Sequence, residues 1–196
     1  MLLRLDYSFL QIYISMKTRL LLIFVLIGFS SLLSGQTVIT AEKGTITFFS
    51  EAPLEDIKAE NRDVKAALNI DNGEILVRLF IRDFSFRKAR MQEHFNEKYM
   101  NSANYPKSAF EGKILDFTYE EIKETDAFPI KGKLTIKGEN RDIQTSTIVS
   151  QRDDQLVFEA EFPVKLEDYD VKIPRIMMKN IAEIVEVKVR LVFPRP

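Results

Sequence analysis

The sequence predicts an all-β fold, a barrel or a sandwich of antiparallel strands. Three observations carry that reading. First, apolar and polar residues alternate over long stretches. Over residues 183–193, Val185, Val187, Val189, Leu191 and Phe193 stand against Glu186, Lys188 and Arg190, the two-residue period of a half-buried strand. Second, turn signals recur at short intervals, among them Asp71-Asn72-Gly73, Gly138-Glu139-Asn140 and Arg152-Asp153-Asp154, as in all-β proteins. Third, no internal repeat or low-complexity linker interrupts the pattern.

The N-terminus stands apart from the fold. Residues 20–29, LLLIFVLIGF, form an apolar run preceded by Lys17 and Arg19 and followed by Ser30, Ser31, Ser34 and Gly35. A basic start, a short apolar core and small residues make a secretory signal. The run is shorter than the roughly 20 residues a spanning helix needs. Met16 heads a better signal than Met1 does. Residues 1–35 are therefore read as an upstream segment plus signal peptide, and residues 36–196 as one domain. This implies a periplasmic or secreted protein with no stable membrane anchor after cleavage near Gly35–Gln36. There is no Cys, so neither a disulfide nor a lipid-modified cysteine supports the chain. Without residues 1–35 the 25 Lys and Arg face 28 Asp and Glu, a net charge of about −3. Nothing there suggests a nucleic-acid partner, which calls for a basic patch and a high pI.

The elements follow in order. Residues 37–40 and 44–50 read as a first strand with a break, and 57–60 as a short second one. Residues 64–70 and 74–84 alternate on either side of the Asp71-Asn72-Gly73 hairpin turn. Residues 91–100 have helical spacing, with Met91 and Phe95 four apart on one face; Asn101 and Ser102 end them. Pro106 biases Tyr105 to an extended backbone, and a strand follows over 108–119. Residues 128–137, 141–150, 155–163 and 183–193 are further strands, and 176–182 a short helix. Long one-faced segments that pair in sequence suggest a closed antiparallel barrel of about eight strands with one or two short helices, since closure removes open edges.

The stretch from Met91 to Ile114 is the most distinctive. Its Gln92, His94, Phe95, Tyr99, Ser102, Tyr105, Pro106, Phe110, Gly112 and Ile114 resemble the YceI-like family of lipocalin-like polyisoprenoid-binding barrels. Gly132-Lys133-Leu134-Thr135-Ile136-Lys137-Gly138 is similar to that family's hairpin strand, and Asp168-Tyr169-Asp170-Val171 with Ile173-Pro174 to its late segment. The resemblance spans roughly residues 37–193. One departure is the opening, where Thr40-Ala41-Glu42-Lys43-Gly44 replaces the family's His-Ser. The resemblance implies a lipocalin-like barrel that binds a long-chain isoprenoid or other lipid without a cofactor. It also allows a homodimer.

The residues themselves argue against catalysis. His94 is the only histidine. Its sequence neighbours Glu93 and Glu97 do not form an evident acid–base pair. A histidine beside Phe95 on an amphipathic helix reads first as a packing or capping group. One His and no Cys make a zinc site a poor expectation, and no metal is expected. No G-x-S-x-G elbow is present. Asp153-Asp154, Asp168 with Asp170, and Glu120, Glu121, Glu124 and Asp126 read as solvated turn residues.

The positive signal is apolar bulk. Fifteen Phe residues are a heavy load for one small domain, and a barrel of about eight strands holds either its own side chains or a ligand. The expected ligand contacts are Phe80, Phe84, Phe86, His94, Phe95, Phe110, Phe117, Leu134, Ile136, Phe158, Phe162, Val187 and Val189. Arg82 and Arg87, in the basic cluster before the helix, are the candidate head-group contacts. The expected function is an exported carrier that sequesters a long-chain amphiphile such as a polyisoprenoid. Two alternatives stand beside it: a non-catalytic interaction module with a self-filled barrel, and an enzyme acting on a bound lipid.

Overall fold

Alternating sequence becomes strand throughout the chain's second part. The computed structural model describes residues 37–122, 124–174 and 180–196. Eleven strands, joined in one sheet, run β1 Val38–Thr40, β2 Lys43–Ser50, β3 Ile57–Asn61, β4 Lys65–Asn69, β5 Glu74–Phe80, β6 Ser85–Phe86, β7 Lys107–Ile114, β8 Thr125–Ile136, β9 Glu139–Arg152, β10 Gln155–Lys165 and β11 Ile184–Pro194. All the strand pairs are antiparallel.

Eleven strands are more than the expected eight or so, and the pairing explains the difference. The β1–β4 and β2–β3 pairs share one register: Val38 faces Asn69, Thr40 faces Ala67, Ile46 faces Asn61 and Ser50 faces Ile57. They are the two halves of one long hairpin broken at Ala41-Glu42 and at residues 62–64. Strands β5 and β6 likewise form one stave, interrupted by the 3-10 turn Ile81–Asp83. Here Glu60 faces Ser85 while Lys65 faces Arg78, so the turn adds two residues. The strand expected over 74–84 therefore stops at Phe80. Asn61, fully buried, fills the irregularity: its Nδ2 donates to the Phe80 carbonyl (2.9 Å), and its Oδ1 accepts from Asp63 N (2.9 Å). With each broken strand counted once, eight staves remain. They close because β2 pairs with β3 on one side and with β11 on the other.

Two other strands differ from the sequence reading. β7 ends at Ile114, not 119, because Leu115 N donates to the Pro129 carbonyl (2.8 Å) and Asp116 takes a left-handed backbone (φ 56°). β8 begins three residues before the expected 128. Helix α1, Ala89–His94, runs on into a π-helical turn, Phe95–Tyr99. Asn101, at φ 47°, stops it. Among the described residues no helix is long and apolar enough to cross a membrane. The expected signal peptide lies outside the described residues, as does most of the short helix expected over 176–182.

The barrel is filled at one end. Leu68, Ile114, Val149, Leu156 and Phe193 are almost completely buried there. Phe117 packs on Phe128 and Phe158 with ring centres 5.7 and 6.1 Å apart, and Phe158 on Phe193 at 5.3 Å. Offset and edge-on geometries of this kind are favourable beyond simple area burial.

Candidate functional site: an apolar cavity in the open half of the barrel

The other half of the barrel is hollow. A cavity of about 460 Å³ lies within the staves, in the size range of small-molecule sites. Its wall follows directly from the two-residue period. Ile46 and Phe48 of β2, Leu134 and Ile136 of β8, Phe158, Ala160 and Phe162 of β10, and Val187 and Val189 of β11 all point inward. Phe110 of β7 joins them. Its ring lies over the facing glycines Gly112 and Gly132. A Cβ on Gly112 would sit 2.5 Å from the ring, and one on Gly132 would sit 2.4 Å from the Glu111 carbonyl oxygen. The glycines thus make the slot in which the ring lies.

Helix α1 and the chain before it cover one side. Phe84, Phe86, His94 and Phe95 line the cavity. Phe48, Phe84, Phe86 and Phe95 form one aromatic cluster with ring centres 5.0–5.8 Å apart. The one-face spacing of Met91 and Phe95 has its meaning here, since both reach the cavity.

Eleven of the thirteen contacts expected from the sequence therefore surround one space. Phe80 and Phe117 do not. Phe80 is 38% exposed on the outer surface, beneath the Arg82 guanidinium and the Lys107 ammonium at 5.5 and 5.3 Å. The two-residue period puts Leu79 inside and leaves Phe80 out. Phe117 belongs to the filled end. Neither Arg82 nor Arg87 lines the cavity; Arg82 lies 3.8 Å from Asp83 and Arg87 lies 3.6 Å from Glu55. Among the described residues the Lys and Arg side chains on the lining are Arg78, Lys88 and Arg90. Lys88 is 2.5 Å from Glu55, which also lines the space, and Arg78 is 3.6 Å from Glu111.

The polar groups inside are few. Ser50 Oγ accepts from Ala182 N (2.9 Å), while the Thr145 and Thr147 hydroxyls donate to the Glu161 and Glu159 carbonyls at 3.4 and 3.2 Å. His94 Nε2 lies 3.2 Å from Lys98 Nζ, and no carboxylate orients the ring among the described residues. Tyr99 and Tyr169 also line the cavity. Burial pushes both phenols up; for Tyr169 the Asp168 charge adds to the shift and Arg141 opposes it. Among the described residues no cluster of three metal-ligating side chains occurs. The arrangement can enclose an apolar chain. Among the described residues no nucleophile, base and orienting group are assembled there.

Sequence reasoning missed Ile46, Phe48, Ala160, Tyr99 and Tyr169. The alternation of Ile46, Phe48 and Ser50 was available to find the first two, and that of Phe158, Ala160 and Phe162 to find the third. Tyr169 stands in the 3-10 turn Leu166–Tyr169, where no period predicts which way a side chain faces.

Comparison with curated protein sequences gives no match. Solved structures share the fold. A crystal structure of BcnA from Burkholderia cenocepacia superposes with a TM-score of 0.65 at 17% identity, covering 76% of this chain and 95% of that one. A polyisoprenoid binding domain from Saccharophagus degradans, implicated in plant cell wall breakdown, gives 0.70 at 12% identity, covering 83% and 100%. The YceI protein of Campylobacter jejuni gives 0.59 at 15%, covering 74% and 89%. The model of the YceI-like domain matches residues 37–193, nearly the whole described barrel, and the chain belongs to the YceI-like family.

Proposed function

We propose that this protein is an exported lipid carrier that holds a long-chain amphiphile, such as a polyisoprenoid, in the hollow half of its barrel. The observation that carries the reading is the cavity of about 460 Å³ with an almost wholly apolar wall. The mechanism is hydrophobic sequestration: an insoluble chain exchanges water for the Phe, Ile and Val faces. Burying eight methylenes at about 0.8 kcal/mol each supplies roughly 6 kcal/mol. Ordering and association consume part of it, so micromolar binding is within reach of apolar contact alone. The polyisoprenoid binding domain of Saccharophagus degradans, with the same fold, supports this class of ligand. The apolar run at residues 20–29, behind Lys17 and Arg19, supports export to the periplasm or beyond. A site without a nucleophile–base pair supports binding in place of turnover.

The test is native mass spectrometry of protein purified from its own compartment, followed by organic extraction. The expected result is a bound mass that extracts as an isoprenoid or another long-chain lipid. Protein that carries no lipid, and takes none up on titration with phytol, overturns the reading.

A further inference from the structure

We propose that an oxyanion at the head of the bound amphiphile, a carboxylate or a phosphate, takes the place of the Glu55 carboxylate on Lys88, with Arg90 on the same rim. Glu55 is then a built-in stand-in for the head group, and the ligand displaces it on binding. The inference rests on the carrier reading and adds the head-group class and the residue that competes for its place.

Exposure locates the mouth of the cavity. Among the described residues of the lining, only Arg78, Lys88 and Arg90 are exposed. Arg78 alternates with the buried Val77 and Leu79 of β5 and meets Glu111 on the outer face, so it marks no opening. Lys88 and Arg90 do, at the start of helix α1. Glu55 lies against Lys88 from the segment between β2 and β3, its side chain 29% exposed.

Glu55 is the only acidic residue on the described lining. Its Oε1 accepts from Lys88 Nζ at 2.5 Å and lies 3.6 Å from the Arg87 guanidinium. Two cations thus hold one carboxylate oxygen at the edge of an apolar space. Arg90 adds a further positive charge on the lining and has no acidic partner among the described residues. Asp56 and Glu93, near Glu55 and Arg90 in sequence, do not line the cavity. A rim that grips a carboxylate of its own can grip a ligand's carboxylate or phosphate by the same charge-assisted hydrogen bonds. At the mouth the incoming anion keeps part of its water, which spares it the cost a charge meets deeper in the wall. Its chain then runs inward over the apolar faces. Displacement of Glu55 unpairs no strand: β2 ends at Ser50, β3 begins at Ile57, and the main chain of residues 51–56 makes no loop hydrogen bond among the described residues.

The experiment titrates the full barrel with phytol, phytanic acid and phytyl phosphate, three ligands on one branched chain, by displacement of a fluorescent fatty-chain probe. The readout is the ratio of the phytol Kd to the Kd of each anion. Glu55→Gln removes the competing charge. The Lys88–Glu55 pair is partly exposed, so this variant should raise the ratio for at least one anion by about two- to fivefold. The anion that gains more identifies the head group as carboxylate or phosphate. Lys88→Gln with Arg90→Gln should lower the ratio, while Arg82→Gln, which removes a positive charge away from the cavity, should leave it alone. A ratio that Glu55→Gln leaves unchanged marks a merely structural ion pair and overturns the inference with the carrier reading intact. So does an Arg82→Gln effect as large as that of the double variant, which would make the preference a matter of net charge. Failure of all three ligands to displace the probe rejects the carrier reading itself.

Discussion

Replacing Ala160 by Phe should separate the stability of the barrel from its capacity to bind. Ala160 lies on β10 between Phe158 and Phe162, faces the cavity, and pairs with Val189 of β11 and Thr147 of β9, both of which also line it. A phenyl ring here enters a space of about 460 Å³, several times the volume the ring occupies. Burying an added aromatic side chain contributes about 2 kcal/mol. For a domain of this size each kcal/mol moves the melting temperature by about 2–4 °C, so the variant should melt about 5 °C higher. The ring also takes the room of three or four methylenes, about 3 kcal/mol of ligand transfer energy at 0.8 each, which is on the order of a hundredfold in Kd. Circular-dichroism melts and phytol titrations on the same preparations read both quantities. Raised stability with unchanged phytol affinity would show that the ligand sits elsewhere. A lower melting temperature would show that the barrel is packed in solution and has no room for the ring.

Other substitutions test the frame around the cavity. Gly132→Ala places a Cβ 2.4 Å from a carbonyl oxygen, 2.5 Å from Gly112 Cα and 2.7 Å from the Phe110 ring; backbone cannot yield cheaply, and calorimetry should show a loss of about 2–3 kcal/mol. Asn61→Ala strands a part-buried carbonyl and a part-buried amide N–H. It should cost about 2–4 kcal/mol, read as a drop in urea midpoint with unchanged slope. The Asp170 carboxyl is held below its ordinary value by a hydrogen bond from Lys172 and by the charges of Lys172 and Lys137. Its contribution is present above that ordinary value and is lost as pH falls through the lowered one. Because the group is fully exposed, Lys172→Gln should raise the Asp170 midpoint in carbon NMR titrations while the melting temperature at pH 7 stays within about 1 °C.

Much of this architecture was legible because strands announce their faces. In β11 the order Val185, Val187, Val189, Leu191, Phe193 fixes the inward side by period alone, and β8 and β10 behave the same way. Breaks in the period were harder to see. Phe80 and Phe84 both look like continuations of β5, yet Phe80 follows the strand's own period outward beside the inward Leu79, while the Ile81–Asp83 turn breaks that period and leaves Phe84 buried. The cause is a side chain distant in sequence, Asn61, which bonds the Phe80 carbonyl. Ion pairing was equally hidden. Arg87 and Lys88 read as a free basic cluster until Glu55, more than thirty residues earlier, is found against both. Tyr169 could be placed only by tertiary structure, because a 3-10 turn has no face that sequence period reveals.

The two ends of the barrel divide stability from function, and magnitudes show why the hollow end needs a functional account. Cavities cost about 24 cal/mol per Å³ relative to a filled interior, so 460 Å³ corresponds to at most about 11 kcal/mol. Water admitted at the mouth lowers that figure, but the scale is that of a whole domain's stability, 5–15 kcal/mol. This chain has no Cys and hence no disulfide to offset such a loss. Closure of the ring and the packing of Phe117, Phe128, Phe158 and Phe193 at the filled end must supply what the hollow half forgoes. A module selected for packing alone would fill the space with a few larger side chains at positions such as Ala160, Thr145 and Val189. Keeping them small forgoes that stabilisation, which is the expectation for a barrel shaped to hold something other than itself.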